Sequence, residues 1–484
     1  MKISLYEHVS HSLYKRNRDN ENDEIDYHKW SSCLVRSYKD RRGKYYSCYK
    51  LIKSFDKIEL AADYYIGIDW LIPGEKYIHI QPKINKYVVN QFSEACSVLD
   101  EKDTGDSHDE QAIREASQFQ VNYLKMLLGA MSDPVVSKEC TDLVRIEWDD
   151  TWIHIDQQDD SLTPFLVVQF LQLLKHIVRK GLKKSYYTVR ENLNNRVKGK
   201  ILVGDNLKRN VFKNRMVKTY CEYQVFGEDN AENQFLKKVF QFVTAYMSNH
   251  KDLFAGNKAQ LDQMRNYIRP AFDHIGDITK ESTFKHFKYN PFFKEYKEAI
   301  RIGGYILKRF GYNISRATET SVLTPPFWID MPRLFELYVY QKLLEVNGYD
   351  RNKIRYQFST YGNALDILVK DGENSMIIDA KYKLHYRHSH VHQDIRQVAG
   401  YARLSNVRTE LGISNDRNID CLIIYPDMDY GLNLEDSDDS VDELSLSAIR
   451  ETFKNEQNKI TAYYKVYKVG VELPSVQIIE KYVV

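Results

Sequence analysis

No CxxC pair occurs in this sequence. Its six cysteines, at 33, 48, 96, 140, 221 and 421, lie too far apart to suggest a zinc ribbon or a disulfide framework. Reduced thiols, and with them a cytoplasmic setting, are the expectation. A run of 18 apolar residues is missing too, and the opening MKISLYEHVSHSLYKRN lacks an apolar signal core, so neither membrane spanning nor secretion is expected. The pattern GxxxxGK[ST] is absent, which disfavours nucleotide hydrolysis through a P-loop. Nor is there an excess of either charge: 69 Lys and Arg face 67 Asp and Glu, for a net +2. Any contact with nucleic acid must therefore come from a local patch.

A chain of 484 residues is too long for one core, and 43% hydrophobic with 28% charged residues fits a soluble globular protein. The expected class is α/β in an α+β multidomain arrangement. Residues 1–150 read as a β-rich domain, 151–325 as a mainly helical, basic domain, and 326–484 as a mixed sheet flanked by helices. In the first, YYIGIDWLIPGEKYIHIQPKI holds two strand-like runs around Pro73-Gly74, and the acidic SVLDEKDTGDSHDEQAIRE at 97–115 reads as a loop or linker.

Three helices announce their ends. One runs within 161–183, with Pro164 near its start and Gly181 at its end. A second starts near Asp229, where Glu232 stands at capping-box spacing and Phe235, Leu236, Val239 and Phe240 form an apolar stripe. A third lies between Asp330-Met331-Pro332 and Gly348. Gly303-Gly304 reads as a break between helical segments.

Charge is concentrated in two stretches. Residues 175–218 hold fourteen Lys and Arg against Glu191 and Asp205, with Tyr186, Tyr187 and Phe212 interleaved. Such a stretch can track a phosphate backbone, and Lys183, Lys184, Arg196, Lys198, Lys200, Lys208 and Arg209 are the candidate contacts; a solvated face has the same composition. Residues 427–443 hold eight acids and no base, and read as a solvated loop.

The segment LDILVKDGENSMIIDAKYK, residues 365–383, puts charge where a sheet should be apolar. Asp371-Gly372 signals a hairpin, which brings Asp366 on one strand near Asp379 on the next. Asp379 and Lys381 are two apart and share a face. Two nearby carboxylates repel, and a divalent cation resolves this; oxygen ligands suit Mg²⁺, with Mn²⁺ an alternative. A lysine beside the cation can orient the nucleophile and offset developing phosphate charge, as metal-assisted phosphodiester hydrolysis requires. An ordinary surface Asp–Lys pair looks the same in isolation. Glu336, in the apolar helix RLFELYVYQKLL, can add a metal ligand or orient a water, and is equally an exposed helix glutamate. Gln397 and Tyr401 in DIRQVAGYARL are i, i+4 and share a helix face. The order of helix with Glu, strand with Asp, strand with DxK and helix with QxxxY is far more specific than any part.

That order resembles the PD-(D/E)xK nuclease superfamily in its QxxxY branch, and more narrowly the McrC family, which includes LlaJI-type restriction subunits. The residues that carry it are Leu365-Asp366, DAKYK at 379–383 and DIRQVAGYA at 394–402, with CEYQVFGEDNAENQFLKK (221–238) and RLFELYVYQKLL (333–344) upstream and weaker echoes in RVKGKI (196–201) and IHIQPKI (78–84). Leu365 stands where the superfamily has proline. The resemblance implies that Asp366 and Asp379 bind metal, that Lys381 assists the nucleophile, and that Glu336, Gln397 and Tyr401 support the site. It implies an Mg²⁺-dependent endonuclease acting on double-stranded DNA, modified or not, with a McrB-like AAA+ GTPase, into whose ring the N-terminal β-rich region docks to stimulate nucleotide hydrolysis. The alternatives are a stand-alone nuclease without a motor, and a non-catalytic DNA-binding or ring-activating module. His385, His388, His390 and His392 in HYRHSHVH read as a polar loop, because no cysteine lies nearby to complete a structural metal site.

Overall fold

The computed structural model describes residues 2–7, 10–14, 33, 35–39, 45–54, 57–85, 118–277, 293–310, 321–360, 363–382, 388–414, 417–427, 432 and 444–476. The 97–115 linker, His385 and all of the acidic 427–443 run except Asp427 and Leu432 lie outside them. Helices and sheets mix throughout, as an α/β reading expects. The chain divides into two compact units: 1–162 with 323–484, and 163–322. Among the described residues no helix is long and apolar enough to cross a membrane.

The first unit is built on two five-stranded sheets. In one, the strands run Lys2–Tyr6, Lys76–Gln81, Tyr65–Ile72, Phe327–Asp330, Val144–Ile146. The Pro73-Gly74 hairpin is present: Tyr65–Ile72 pairs antiparallel with Lys76–Gln81. Phe327–Asp330 lies antiparallel to Tyr65–Ile72, with Trp328 opposite Gly67. A Cβ at Gly67 would overlap the Phe327 carbonyl oxygen, so the close approach of these strands requires glycine. The core here gathers Ile3, Leu5, Ile58, Leu60, Ile78 and Trp328.

The other sheet is mixed, in the order Ile354–Thr360, Asn363–Val369, Met376–Ala380, Asp420–Pro426, Val466–Val471. The first three strands are antiparallel neighbours; the last two are parallel to Met376–Ala380, and the helix His388–Tyr401 makes the crossover between them. That helix packs Ile395, Val398 and Tyr401 onto Ile377, Cys421 and Ile423. Met376–Ala380 and Asp420–Pro426 are buried at every position, as strands covered on both faces must be. The helix Met331–Val346 starts where the sequence predicts: the Asp330 side chain accepts from the Arg333 N–H at 3.0 Å, and Pro332 fills the first turn. It packs on the helix Tyr123–Ala130 and on strands of both sheets.

The second unit holds the helices Leu162–Lys180, Ala231–Asn249, Lys258–Phe272 and Lys294–Arg309. It also holds a three-stranded antiparallel sheet of Ser185–Asn194, Lys218–Gly227 and Lys200–Ile201, through which much of the basic stretch runs. Two local readings are corrected. The cap of Ala231–Asn249 is Asn230, which accepts from Asn233 N–H; Asp229 instead accepts from the Gly276 N–H at 2.7 Å. Gly303-Gly304 breaks nothing and sits inside Lys294–Arg309, where a Cβ on Gly303 would meet Val239 Cγ2 at 2.9 Å. The glycine there allows close helix packing.

Candidate functional site

Pairing between Asn363–Val369 and Met376–Ala380 runs Val369–Met376, Leu368–Ile377 and Ile367–Ile378, then stops. The next step in that register is Asp366 opposite Asp379. The strands part there, and the Ala380 N–H turns to donate to Asp366 Oδ2 at 3.1 Å. The Lys381 N–H donates to the Ile424 carbonyl at 2.8 Å, which keeps the DAK stretch extended and holds Asp379 and Lys381 on one side. Lys381 Nζ stands 2.9 Å from Asp379 Oδ2. Asp379 is 1% exposed, and neither of its oxygens receives a directed hydrogen bond.

A second buried acid shows what a structural carboxylate looks like in this fold. Asp69, 0% exposed, takes the Arg36 Nε at 2.9 Å, the Trp70 N–H at 2.7 Å and the Trp328 indole N–H at 3.4 Å. Its charge is matched and its lone pairs are used. Asp379 has an ammonium beside it and little else. Burial pushes the Asp366 carboxyl well above its usual range, and the charges of Asp379 and Glu336 add to this, while Lys381 opposes it. Burial pulls the Lys381 ammonium down, but Asp379, Asp366 and Asp394 outweigh it and the net direction is up. Lys381 is therefore held as a cation, and the two carboxyls compete for a single compensating charge.

Glu336 is half-buried on the Met331–Val346 helix, and its Oε1 has no hydrogen-bond partner. Burial pushes its carboxyl up to about 7; the Tyr356 hydroxyl, which bonds it, and Arg333 pull the other way. Asp366, Asp379 and Lys381 thus come together with Glu336 beside them. Among the described residues, no three His, Cys, Asp or Glu side chains close into a cage for one ion.

Gln397 Nε2 donates to the Tyr401 hydroxyl at 2.6 Å, as their spacing implies. Among the described residues neither makes a hydrogen bond to Asp366, Asp379 or Lys381. The sequence reading missed two neighbours. Asp394 is buried one turn before Gln397, and its charge acts on Lys381; its i, i+3 spacing to Gln397 was the available signal. Tyr356, from the adjoining strand, offered none. His392 Nδ1 lies 3.1 Å from the Tyr463 hydroxyl; the side chains of His388 and His390 are outside the described set. Cys33, Cys48, Cys140, Cys221 and Cys421 are buried and belong to no disulfide.

Most of the candidate phosphate contacts are exposed on the three-stranded sheet of the second unit and on the adjoining helix Val203–Arg209. Arg196, Lys198, Lys200, Lys208 and Arg209 are open to solvent, Lys198 lying 4.1 Å from the Tyr223 ring centroid and Arg209 4.5 Å from that of Tyr220. Lys183 is different: its side chain is mostly buried and paired with Glu232 at 2.5 Å. Lys184 is exposed, 3.6 Å from Glu228. Tyr186 and Phe212 present 72% and 77% of their surface.

A family model described as McrBC 5-methylcytosine restriction system component matches residues 60–426. Among solved structures, the chain is similar to one in a refined half-complex from a tetradecameric assembly of Thermococcus gammatolerans McrB AAA+ hexamers with bound McrC, at 15% identity and a TM-score of 0.36, covering 93% of this chain and 100% of that one. A chain of the Thermococcus gammatolerans McrBC complex gives 12% identity and a TM-score of 0.29, covering 83% and 99%. No protein of curated function matches.

Proposed function

The chain belongs to the McrBC 5-methylcytosine restriction system component family, and from that premise we propose that it is the McrC-type, Mg²⁺-dependent DNA endonuclease subunit of a GTP-dependent restriction complex. The observation that carries this reading is Asp379, buried one register step from the ladder's end opposite Asp366, with the Lys381 ammonium beside it and no directed hydrogen bond to either oxygen. The donor set fits the cation: Mg²⁺ takes one or two carboxylates and completes its shell with water and phosphate oxygens, so a three-acid cage is not needed. Asp366 and Asp379 would hold it. Bound there, Mg²⁺ would neutralise charge on the scissile phosphate and acidify the attacking water.

The remaining steps belong to the chain. Lys381, kept cationic by the surrounding acids, orients the nucleophile and meets the phosphate's developing charge with its Nζ. Glu336 Oε1, free of partners, would accept a proton from the attacking water. Gln397 and Tyr401 brace the rim of the sheet. The exposed cations of the second unit bind the DNA backbone without reading sequence. A McrB-like AAA+ GTPase supplies recognition and motor work, and the N-terminal β-rich region docks in its ring and stimulates GTP hydrolysis; the family membership supports this division of labour. The reduced cysteines suit a cytoplasmic setting.

The test is Asp379→Ala and Lys381→Ala in the full chain, assayed with its AAA+ partner, GTP, Mg²⁺ and plasmid DNA. Partner binding and stimulated GTP hydrolysis should survive while cleavage disappears. Unchanged cleavage would overturn the reading.

A further inference from the structure

Five described non-glycine residues have positive φ, and four of them, Asn195, Asn214, Tyr349 and Lys465, stand in turns or beside the ends of elements. Gln357 is the exception. It lies inside the strand Ile354–Thr360 with φ +46°, a conformation sparsely populated and costly for a residue with a Cβ. The pairing to Asn363–Val369 runs Tyr356–Ile367, then Phe358–Leu365, and omits the position at which Gln357 would meet Asp366. The irregularity is thus directly across from a proposed metal ligand.

It has a directional consequence. Consecutive strand side chains normally point to opposite faces, yet Gln357 Nε2 reaches back and donates to the Tyr356 hydroxyl at 3.2 Å. That hydroxyl bonds the Glu336 carboxylate, and the Tyr356 ring stacks on Tyr340 of the Glu336 helix, with centroids 5.0 Å apart at 29°. Amide, phenol and carboxylate form one hydrogen-bonded chain, and the Glu336 charge at its end acts on Asp366. The register is the same on both sides of Gln357, so no residue is inserted, and an inverted φ that served only to bend the strand would be best made by glycine.

We propose that Gln357 is a positioning residue: its left-handed backbone turns the amide onto Tyr356 and thereby fixes the Glu336 carboxylate beside Asp366. This rests on the nuclease reading above. The variants Gln357→Gly, Tyr356→Phe and the double variant are compared with the parent in the full chain by thermal melting, by Mg²⁺ titration calorimetry and by GTP-dependent cleavage with the AAA+ partner. Glycine relieves the backbone, so the Gln357→Gly Tm should equal the parent's or exceed it by about 2 °C. Cleavage should nonetheless fall about tenfold or more, as when a group that orients a working side chain is removed, while Mg²⁺ affinity stays near the parent's because Asp366 and Asp379 are untouched. Tyr356→Phe should match that loss, and the double variant should lose no more than either single one. Parental cleavage by Gln357→Gly, a lower Tm for it, or additive losses in the double variant would overturn the proposal. Asp379→Ala runs alongside: if it still cuts, the nuclease reading fails, and if it is dead while Gln357→Gly cuts normally, only the positioning role fails.

Discussion

The acid–lysine cluster of the first unit and the basic sheet of the second both begin as concentrations of charge in the sequence, but the fold treats them in opposite ways. Asp379 and Lys381 are withdrawn from water and set 2.9 Å apart, with no directed hydrogen bond to either carboxylate oxygen. Arg196, Lys198, Lys200, Lys208 and Arg209 stay in solvent, and two of them lie over tyrosine rings. A buried charge costs several kcal/mol unless it is matched, so an imperfectly matched one points to a role in binding. An exposed charge costs almost nothing and is compatible with many roles. The same composition is therefore strong grounds for chemistry in one place and weak grounds for DNA contact in the other.

The largest expected effect comes from erasing the buried side. Asp379→Ala or Lys381→Ala should lower cleavage by on the order of 10³-fold, the scale of losing a preorganised electrostatic group at the reacting atoms. Erasing the exposed side should act on binding alone. With Lys198, Lys200 and Lys208 all changed to Ala, the slope of log affinity for duplex DNA against log salt should become shallower by about 0.9 for each phosphate no longer neutralised; an unchanged slope would make this sheet a bystander.

pH sharpens the contrast. Glu336 has an ordinary carboxyl pKa of 4.5 and is raised to about 7 in the fold. The folded chain then binds more protons than the unfolded one between those values, so metal-free stability falls as pH climbs from 4.5 to 7. Glu336→Gln should flatten that slope, by roughly 1 kcal/mol after discounting for its partial exposure. Mg²⁺ competes with those protons, so its stabilisation should grow over the same interval; melting curves with EDTA or Mg²⁺ across pH 5–8 would measure both. Smallest is Asp330→Ala, which removes the cap of the Glu336 helix and should cost about 1 kcal/mol in urea unfolding, with cleavage reduced only modestly.

Much of the candidate site was legible because local rules fix it. Asp371-Gly372 announces a hairpin, but a two-residue turn there would set Asp366 opposite Ile377; the connection is instead residues 370–375, with a tight helical turn at Gly372–Asn374, and that register carries Asp366 across from Asp379. Asp330 and Pro332 start the Glu336 helix through capping, which needs no tertiary contact. Legibility ended where geometry outranked local pattern. Asp229 has capping-box spacing, but Asn230 takes the cap with an extended backbone (φ −92°, ψ 166°), leaving Asp229 for the Gly276 N–H. The strand Ser185–Asn194 buries Leu193 alone, so no apolar alternation marked it as a strand. Tyr356 reaches Glu336 only through sheet-on-helix packing, and the inverted φ of Gln357 leaves no trace in residue type.

The strand Phe327–Asp330 sits between Tyr65–Ile72 and Val144–Ile146 and passes straight into the helix that holds Glu336. An open reading frame cloned from residue 326 onward would carry that strand with neither neighbour beside it. The acidic centre would then hang from an unanchored lever, and deletions far upstream, around Gly67, would silence it as surely as a change at Asp379.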